Sequence, residues 1–328
     1  MMNKESSKDL KDAITDVTGV KVGHSQDLKA GTGCTVIICE KGAVGGIDVR
    51  GGAPGTRETD LLNPINLVDK IHAIYLGGGS AFGLDGASGV MKYLEEKDIG
   101  FDVGLTKVPI VSGAVLFDLA VGDYRVRPDA KMGYEACLNA SDTELSQGNV
   151  GAGTGATVGK IFGGLRCMKS GLGTASFKSQ ELIVGAIVAV NCFGDVVDPE
   201  SGEIIAGVLS EDKTEVVNTM SFLRNFPQKT KDNFSKNTTI GVIATNARLT
   251  KAGVTKVAMM AQDGYARTIS PTHTMFDGDT IFCMATGEVE AGVNVVGAIA
   301  AEVMARAIIK AIKNTESLFK LKSYKDLF

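Results

Sequence analysis

The sequence predicts an α/β (α+β) fold in which strands and helices stack in layers, rather than a chain of strict βαβ units. Three observations lead there. Six runs rich in β-branched residues read as strands, and several are apolar without alternation, which suits sheets covered on both faces. Two long stretches carry helical periodicity. Between them lie glycine knots, "GGIDVRGGAPGT", "YLGGGSAFGLDG", "GNVGAGTGATVGK" and "GGLRCMKSGLGT", which mark tight turns and close backbone approaches.

In chain order the strands are "CTVIIC" (34–39), "AVGGIDVR" (43–50), "AIYL" (73–76), "ELIVGAIVAVN" (181–191), "TIGVIATN" (239–246) and "DTIFCMAT" (279–286). The first helix, "SAFGLDGASGVMKYLEEKD" over 80–98, opens at Ser80 as N-cap and places Leu84, Ala87, Met91 and Leu94 on one stripe. The second, over 292–315, is apolar nearly all round until Arg306, Lys310 and Lys313 meet the dipole of its last turns. Glu302 and Arg306 interrupt it, so it is expected as a core helix and not a membrane span. The polar, charge-mixed stretch 210–237 is the candidate exposed connection.

At 328 residues, 44% hydrophobic and 22% charged, the chain can build one large domain or two ordinary ones. Its net charge of −4 comes from scattered residues, which leaves no basic footprint for nucleic acid or an anionic membrane. Small substrates or protein partners are expected instead. The start "MMNKESSKDLKDAITD" lacks the apolar core of a signal peptide, and a cytoplasmic location is expected. The N-x-S/T triplets at Asn139, Asn233 and Asn237 then read as chance. Six cysteines without C-x-x-C spacing, and three histidines (His24, His72, His273), predict buried reduced thiols and no metal or cofactor.

Glycine-rich loops raise a nucleotide reading that the spacing rejects. In "GGGSAFG", Phe82 stands where a G-x-G-x-x-G begun at Gly77 needs its third glycine. In "GTGATVGKI", Thr154 replaces the first glycine of a phosphate loop and Ile161 its magnesium-binding hydroxyl. No G-x-S-x-G elbow occurs.

The segment "SKNTTIGVIATNA" (235–247) carries the chemistry. As a bare segment it is equally a turn ending at Asn237 and two β-formers opening a strand. A threonine hydroxyl is a weak nucleophile and needs a base within reach. A cut just before Thr238 would supply one, its own α-amine, which titrates near 7.7–8.0. Downstream, "MFDGDTIFCMATGE" sets Asp277 and Asp279 at i, i+2, so both carboxylates can point one way, or simply form a turn. Upstream, Asn191 ends an apolar run as a structural amide or an oxyanion donor. Lys160, after a run of small residues, is a candidate buried cation.

These residues, with "ITDVTGVKVGH", "DVRGGAPGTRETDLL", "LGGGSAFGLDGASGVMKYL", "VPIVSGAVLFDL", "GAGTGATVGK", "VNCFGDVVDP", "NTTIGVIATNA" and "DGDT", resemble the L-aminopeptidase/D-esterase family of self-cleaving N-terminal-nucleophile hydrolases. That family includes the β-aminopeptidases and the nylon-oligomer (6-aminohexanoate oligomer) hydrolases. The resemblance implies Thr238 as nucleophile, Asn237 before the scissile bond, Asn191 at the oxyanion, and Lys160, Tyr134 (in "GYEA"), Asp277 and Asp279 in the site. The two aspartates fall 39 and 41 residues after Thr238, as in the nylon-hydrolase branch. It also implies a four-layer αββα sandwich, cut into a large subunit (1–237) and a small one (238–328), and a tetramer of such heterodimers. Two other outcomes stay open: acyl transfer of the ornithine-acetyltransferase type, and a non-catalytic binding protein with the same fold. Within hydrolysis, broad aminopeptidase/D-esterase action on short peptides is the alternative to amide-oligomer cleavage.

Overall fold

A computed structural model describes residues 10–225 and 237–328. Nine strands carry the fold: β1 (Lys21–Asp27), β2 (Thr32–Val49), β3 (Thr56–Arg57), β4 (Lys70–Gly77), β5 (Val111–Val115), β6 (Leu172–Ser179), β7 (Leu182–Ala189), β8 (Ile240–Ala247) and β9 (Thr280–Val289). They bond in the order β6-β7-β8-β9-β2-β4-β5-β3, with β1 on β2. Strand pairs β8/β9 and β4/β5 are parallel.

Strand β2 serves two sheets. Its residues 32–38 lie between β1 and β4, while 44–49 pair with β9. The sequence reads this span as two strands. It is one, because the irregularity between Ile38 and Ala43, with Gly42 at φ 72°, offsets the chain without reversing it.

Among the described residues, helices α1 (Gly86–Glu96), α2 (Ala130–Leu138), α4 (Lys251–Thr268) and α5 (Val293–Lys313) cover the sheets, and the short α3 (Thr219–Arg224) packs on Phe162. Three buried clusters define four layers. Cys34, Val36, Ala73 and Tyr75 pack under α1 and α2. Their alternate neighbours Ile37, Ile74 and Leu76 face Ile187, Val242, Phe282 and Met284 of the other sheet. The far face of that second sheet, with Val184, Ala186, Ile243 and Cys283, packs under α4 and α5. The period-two alternation of each strand thus sends one set of side chains to a helix layer and the other to the inter-sheet core. This is the expected αββα order.

Two helical expectations change. Ser80 is not an N-cap: it sits at φ 54°, residues Ser80–Asp85 form a 3-10 turn, and α1 begins at Gly86. The Ser80 N–H is drawn instead to the Leu116 carbonyl (2.9 Å), which holds this turn against the end of β5. Helix α4, capped by the Thr250 hydroxyl on Gly253 N–H, has no counterpart in the sequence expectations. Val254, Val257, Ala258, Ala261 and Tyr265 form its buried stripe. Gly264 dilutes the pattern for a packing reason, since a Cβ there would stand 2.6 Å from the Ala301 carbonyl of α5. Helix α5 matches its expected span as a core helix. All six cysteines are buried and free. Among the described residues, no helix is long and apolar enough to cross a membrane. Of the expected connection 210–237, residues 226–236, with the Asn233 triplet, lie outside the described residues.

Candidate active site

Strand topology brings the distant motifs together. Parallel β8 and β9 start at the same edge, so Asn237–Thr238 before one and Asp277–Gly278–Asp279 before the other lie side by side, with Asn237 bridged to Asp277. Antiparallel β7 ends where β8 begins, Ala189 facing Ile240, and delivers Asn191 to the same point. Thr238, Asn237, Asn191, Lys160, Asp277 and Asp279 are all buried there.

The backbone around the junction is tied at every step. Asn237 N–H donates to Phe276 O (2.8 Å), Thr238 N–H to Asn191 O (2.9 Å) and Thr239 N–H to Asp279 Oδ1 (2.9 Å). The Thr238 hydroxyl donates to the carbonyl of Asn237, so the Oγ1 lies against the group it would attack. The same carbonyl oxygen accepts Gly278 N–H at 2.8 Å, a donor placed to hold negative charge developing on it. Sequence reasoning missed this role, because a backbone amide has no residue signature. Gly278 is also required sterically: a Cβ would stand 2.7 Å from Thr238 Oγ1 and 2.6 Å from Ala53 O. Where the chain is cut at Asn237–Thr238 as the resemblance implies, Gly278→Ala is expected to slow the cut by about 100-fold, read as persistence of the full-length band, since displacing reacting atoms by an ångström has that effect.

Asn191 organises the other side. Its Oδ1 accepts Lys160 Nζ (2.6 Å) and Thr157 N–H (3.1 Å), and its Nδ2 donates to Phe117 O (3.1 Å). Two obligate donors on Oδ1 set the amide's orientation. One Nδ2 proton is left for an oxyanion. Lys160 Nζ also donates to Asn191 O (3.2 Å), so its amine and the Thr238 nitrogen share one carbonyl. Burial lowers the Lys160 pKa to about 8.

The aspartates hold the frame rather than the nucleophile itself. Asp277 Oδ1 accepts Phe193 N–H (3.1 Å), and its Oδ2 accepts the Thr274 hydroxyl (2.5 Å) and N–H (3.0 Å). Asp279 Oδ2 accepts His273 N–H (3.1 Å), the Thr272 hydroxyl (3.1 Å) and faces His273 Nδ1 at 2.9 Å. Burial, then the neighbouring Asp279 charge, raises Asp277 to about 6. The α-nitrogen of Thr238 meets the Asn191 carbonyl in the uncut chain, and Asp279 reaches it only through Thr239.

Tyr134 does not join the cluster. It lies on α2, where its hydroxyl donates to Glu96 (2.7 Å) and its ring meets Tyr93 edge-on. It belongs to the outer helix layer, where α2 packs on α1, whereas Thr238 lies between Asn191 and Asp277 at the ends of the strands. The aromatic residue at the site is Phe117. With Ala53, Pro54, Gly55, Ser80, Ala81, Val115 and Thr238 it lines a cleft of about 230 Å³. Phe117 follows β5, and no motif marked it. Tyr134→Phe is expected to leave cutting and amide hydrolysis within about twofold of wild type in a progress-curve assay, as for surface substitutions generally. A larger hollow of about 460 Å³ along α5 is not the site. Three of its four cations are already paired, Arg306 and Lys310 with Asp12 and Lys313 with Asp198, and none of the site residues lines it.

A second buried lysine supports the loop that carries Thr157 and Lys160. Lys169 Nζ donates to Gly153 O (3.1 Å), Ala156 O (3.2 Å) and Ser170 O, and burial lowers its pKa to about 7. For both lysines the unfolded chain binds more protons between the folded pKa and 10.5. Their stabilising share is thus complete above pH 10.5 and lost as pH falls toward 8 and 7. Lys169→Met should flatten the rise of Tm with pH across that window, measured by thermal scans of variant and wild type.

A family model described as peptidase family S58 matches residues 12–324. An uncharacterized aminopeptidase of Mycobacterium leprae is 42% identical over 347 residues, covering 96% of this chain and 94% of the relative. A 6-aminohexanoate-oligomer endohydrolase of a Kocuria species is 31% identical over 316 residues, covering 91% and 85%. Among solved structures, the L-aminopeptidase D-Ala-esterase/amidase of Ochrobactrum anthropi, described as a variant of the Ntn-hydrolase fold, superposes with a TM-score of 0.72 at 16% identity, covering 94% of this chain and 87% of that one. A Burkholderia β-aminopeptidase gives 0.67 at 23% identity, covering 93% and 87%. At those identities the two structures speak for the fold.

Proposed function

The chain belongs to peptidase family S58 and is a hydrolase of amide bonds of the N-terminal-nucleophile type, and from that membership we propose that it cuts itself between Asn237 and Thr238 and then uses Thr238 as its nucleophile. The observation that carries this is the Thr238 hydroxyl lying on the Asn237 carbonyl, which Gly278 N–H also binds. Attack by Oγ1 on the Asn237 carbon gives an ester and a free α-amine, and water then releases residues 1–237 from 238–328. In the mature site the α-amine, held by the Asn191 carbonyl, takes the hydroxyl proton as Oγ1 attacks a substrate amide. The second proton of Asn191 Nδ2 and backbone N–H groups hold the oxyanion. Lys160 tunes this corner, and Asp277 and Asp279 fix the loops that form it.

The substrate is a short amide, a peptide or an ω-amino acid oligomer of the 6-aminohexanoate type. The names of the relatives, aminopeptidase and oligomer endohydrolase, support both forms. Association into a tetramer of cut heterodimers is part of the proposal, supported by strongly exposed Ile65, Leu67 and Leu105. So is a cytoplasmic location, supported by six unpaired cysteines. The test is intact mass with N-terminal sequencing. Two polypeptides, the smaller beginning at Thr238, are expected; a preparation that hydrolyses amides as a single chain overturns the proposal.

A further inference from the structure

Phe117 lines two cavities. In front is the Thr238 cleft; behind is a smaller cavity of about 40 Å³. Thr157, Lys160, Asp118 and Cys167 line the rear cavity together with Ala120, Gly164 and Leu321. Ala120 and Gly164 are exposed, so this space meets solvent away from the substrate cleft. Its size suits a few water molecules, about 10–15 Å³ of such space being enough for one, and is small for an organic amine. The polar lining suits water as well. Thr157 offers a hydroxyl, and Lys160 has a third N–H beyond the two given to Asn191.

An acyl-enzyme must be met by water while the acyl chain still fills the front cleft. We propose that the rear cavity is the entrance for the hydrolytic water, which reaches the Thr238 ester past Lys160 and Phe117 from the Ala120–Gly164 side. The proposal rests on Thr238 being the nucleophile. In the step, the water oxygen bonds to the acyl carbon, the bond from that carbon to Thr238 Oγ1 breaks, one water proton ends on Oγ1, and the carboxylic acid leaves. Lys160, with a pKa near 8 and facing Cys167, Cys192, Asp277 and Asp118, is neutral in part at that pH and can accept the proton in passing. Two entrances give the site a built-in preference for hydrolysis over transfer. Water arrives from behind, whereas an amine acceptor must compete with substrate in front.

Filling the rear mouth tests this. Ala120→Trp places a large ring at the mouth, and Gly164→Leu, whose Cβ enters open space with no atom within 4 Å and so fits without strain, adds bulk beside it. The readouts are the acyl adduct on the fragment beginning at Thr238, by intact mass during turnover of an activated amide, and the product ratio with glycine amide added as acceptor. Both variants should acylate at the wild-type rate, deacylate about tenfold more slowly, and raise the transfer-to-hydrolysis ratio by a similar factor. Wild-type deacylation and ratio in both variants overturn the water entrance alone. Absence of any adduct on the wild-type fragment overturns the nucleophile assignment and the entrance together.

Discussion

Thr238→Ala is expected to yield one uncut chain with no measurable amide hydrolysis, a loss of about 10⁴-fold or more. Two effects combine. Alanine removes the oxygen that lies on the Asn237 carbonyl, so the ester cannot form. Without the cut there is also no α-amine, only a peptide N–H donating to Asn191. The fold should survive, because the Thr238 backbone keeps its bond and the side chain contributes little to the core. Thr238→Ser separates the causes: it restores the hydroxyl and should restore both the cut and the activity. Denaturing gels and progress curves decide, and an active uncut Thr238→Ala protein would sink the mechanism.

Asn191→Asp is expected to give the next largest effect, about 10²–10³-fold in kcat, the usual loss for one oxyanion donor. The replacement has nearly the same shape. It keeps an oxygen for Lys160 and Thr157, which both donate to Oδ1, and strengthens the lysine contact with a charge. What it removes is Nδ2, and with it the bond to Phe117 O and the remaining donor. A large fall in kcat with KM little changed therefore assigns the amide proton to the transition state. Activity within a few-fold of wild type would leave Asn191 as a structural residue that holds Lys160, Thr157 and the Thr238 backbone.

Much of the site is written in local chemistry. Asn191 and Lys160 stand out in sequence because small or apolar neighbours surround each polar group, and Asn237–Thr238 and Asp277-Gly278-Asp279 because each stands where a polar segment meets an apolar strand; a polar group at such a place has to be satisfied by something. Where local pattern and packing disagree, the pattern misleads. Tyr134 sits in a plausible block but belongs to the α1/α2 layer, and α4 hides its stripe behind glycines that let it approach α5. Ser80 looks like a cap, yet its amide is claimed by Leu116, a partner 36 residues away that no local rule reveals.

By itself the sequence determined the layered class, the strand cores, the helix expected over 292–315 and found over 293–313, and the residue types able to do amide chemistry, since these depend on hydrophobic period and side-chain identity. The tertiary structure decided which of them meet. Only the parallel pairing of β8 with β9, and the antiparallel return of β7, bring three strand ends to one point. Only that convergence sets Gly278 N–H on the Asn237 carbonyl and the aspartates around the frame rather than on the nucleophile, while the pairing of β5 with β4 sets Phe117 between two cavities. Backbone donors and cavity walls arise from long-range pairing, and so they leave no trace in the local pattern of residues.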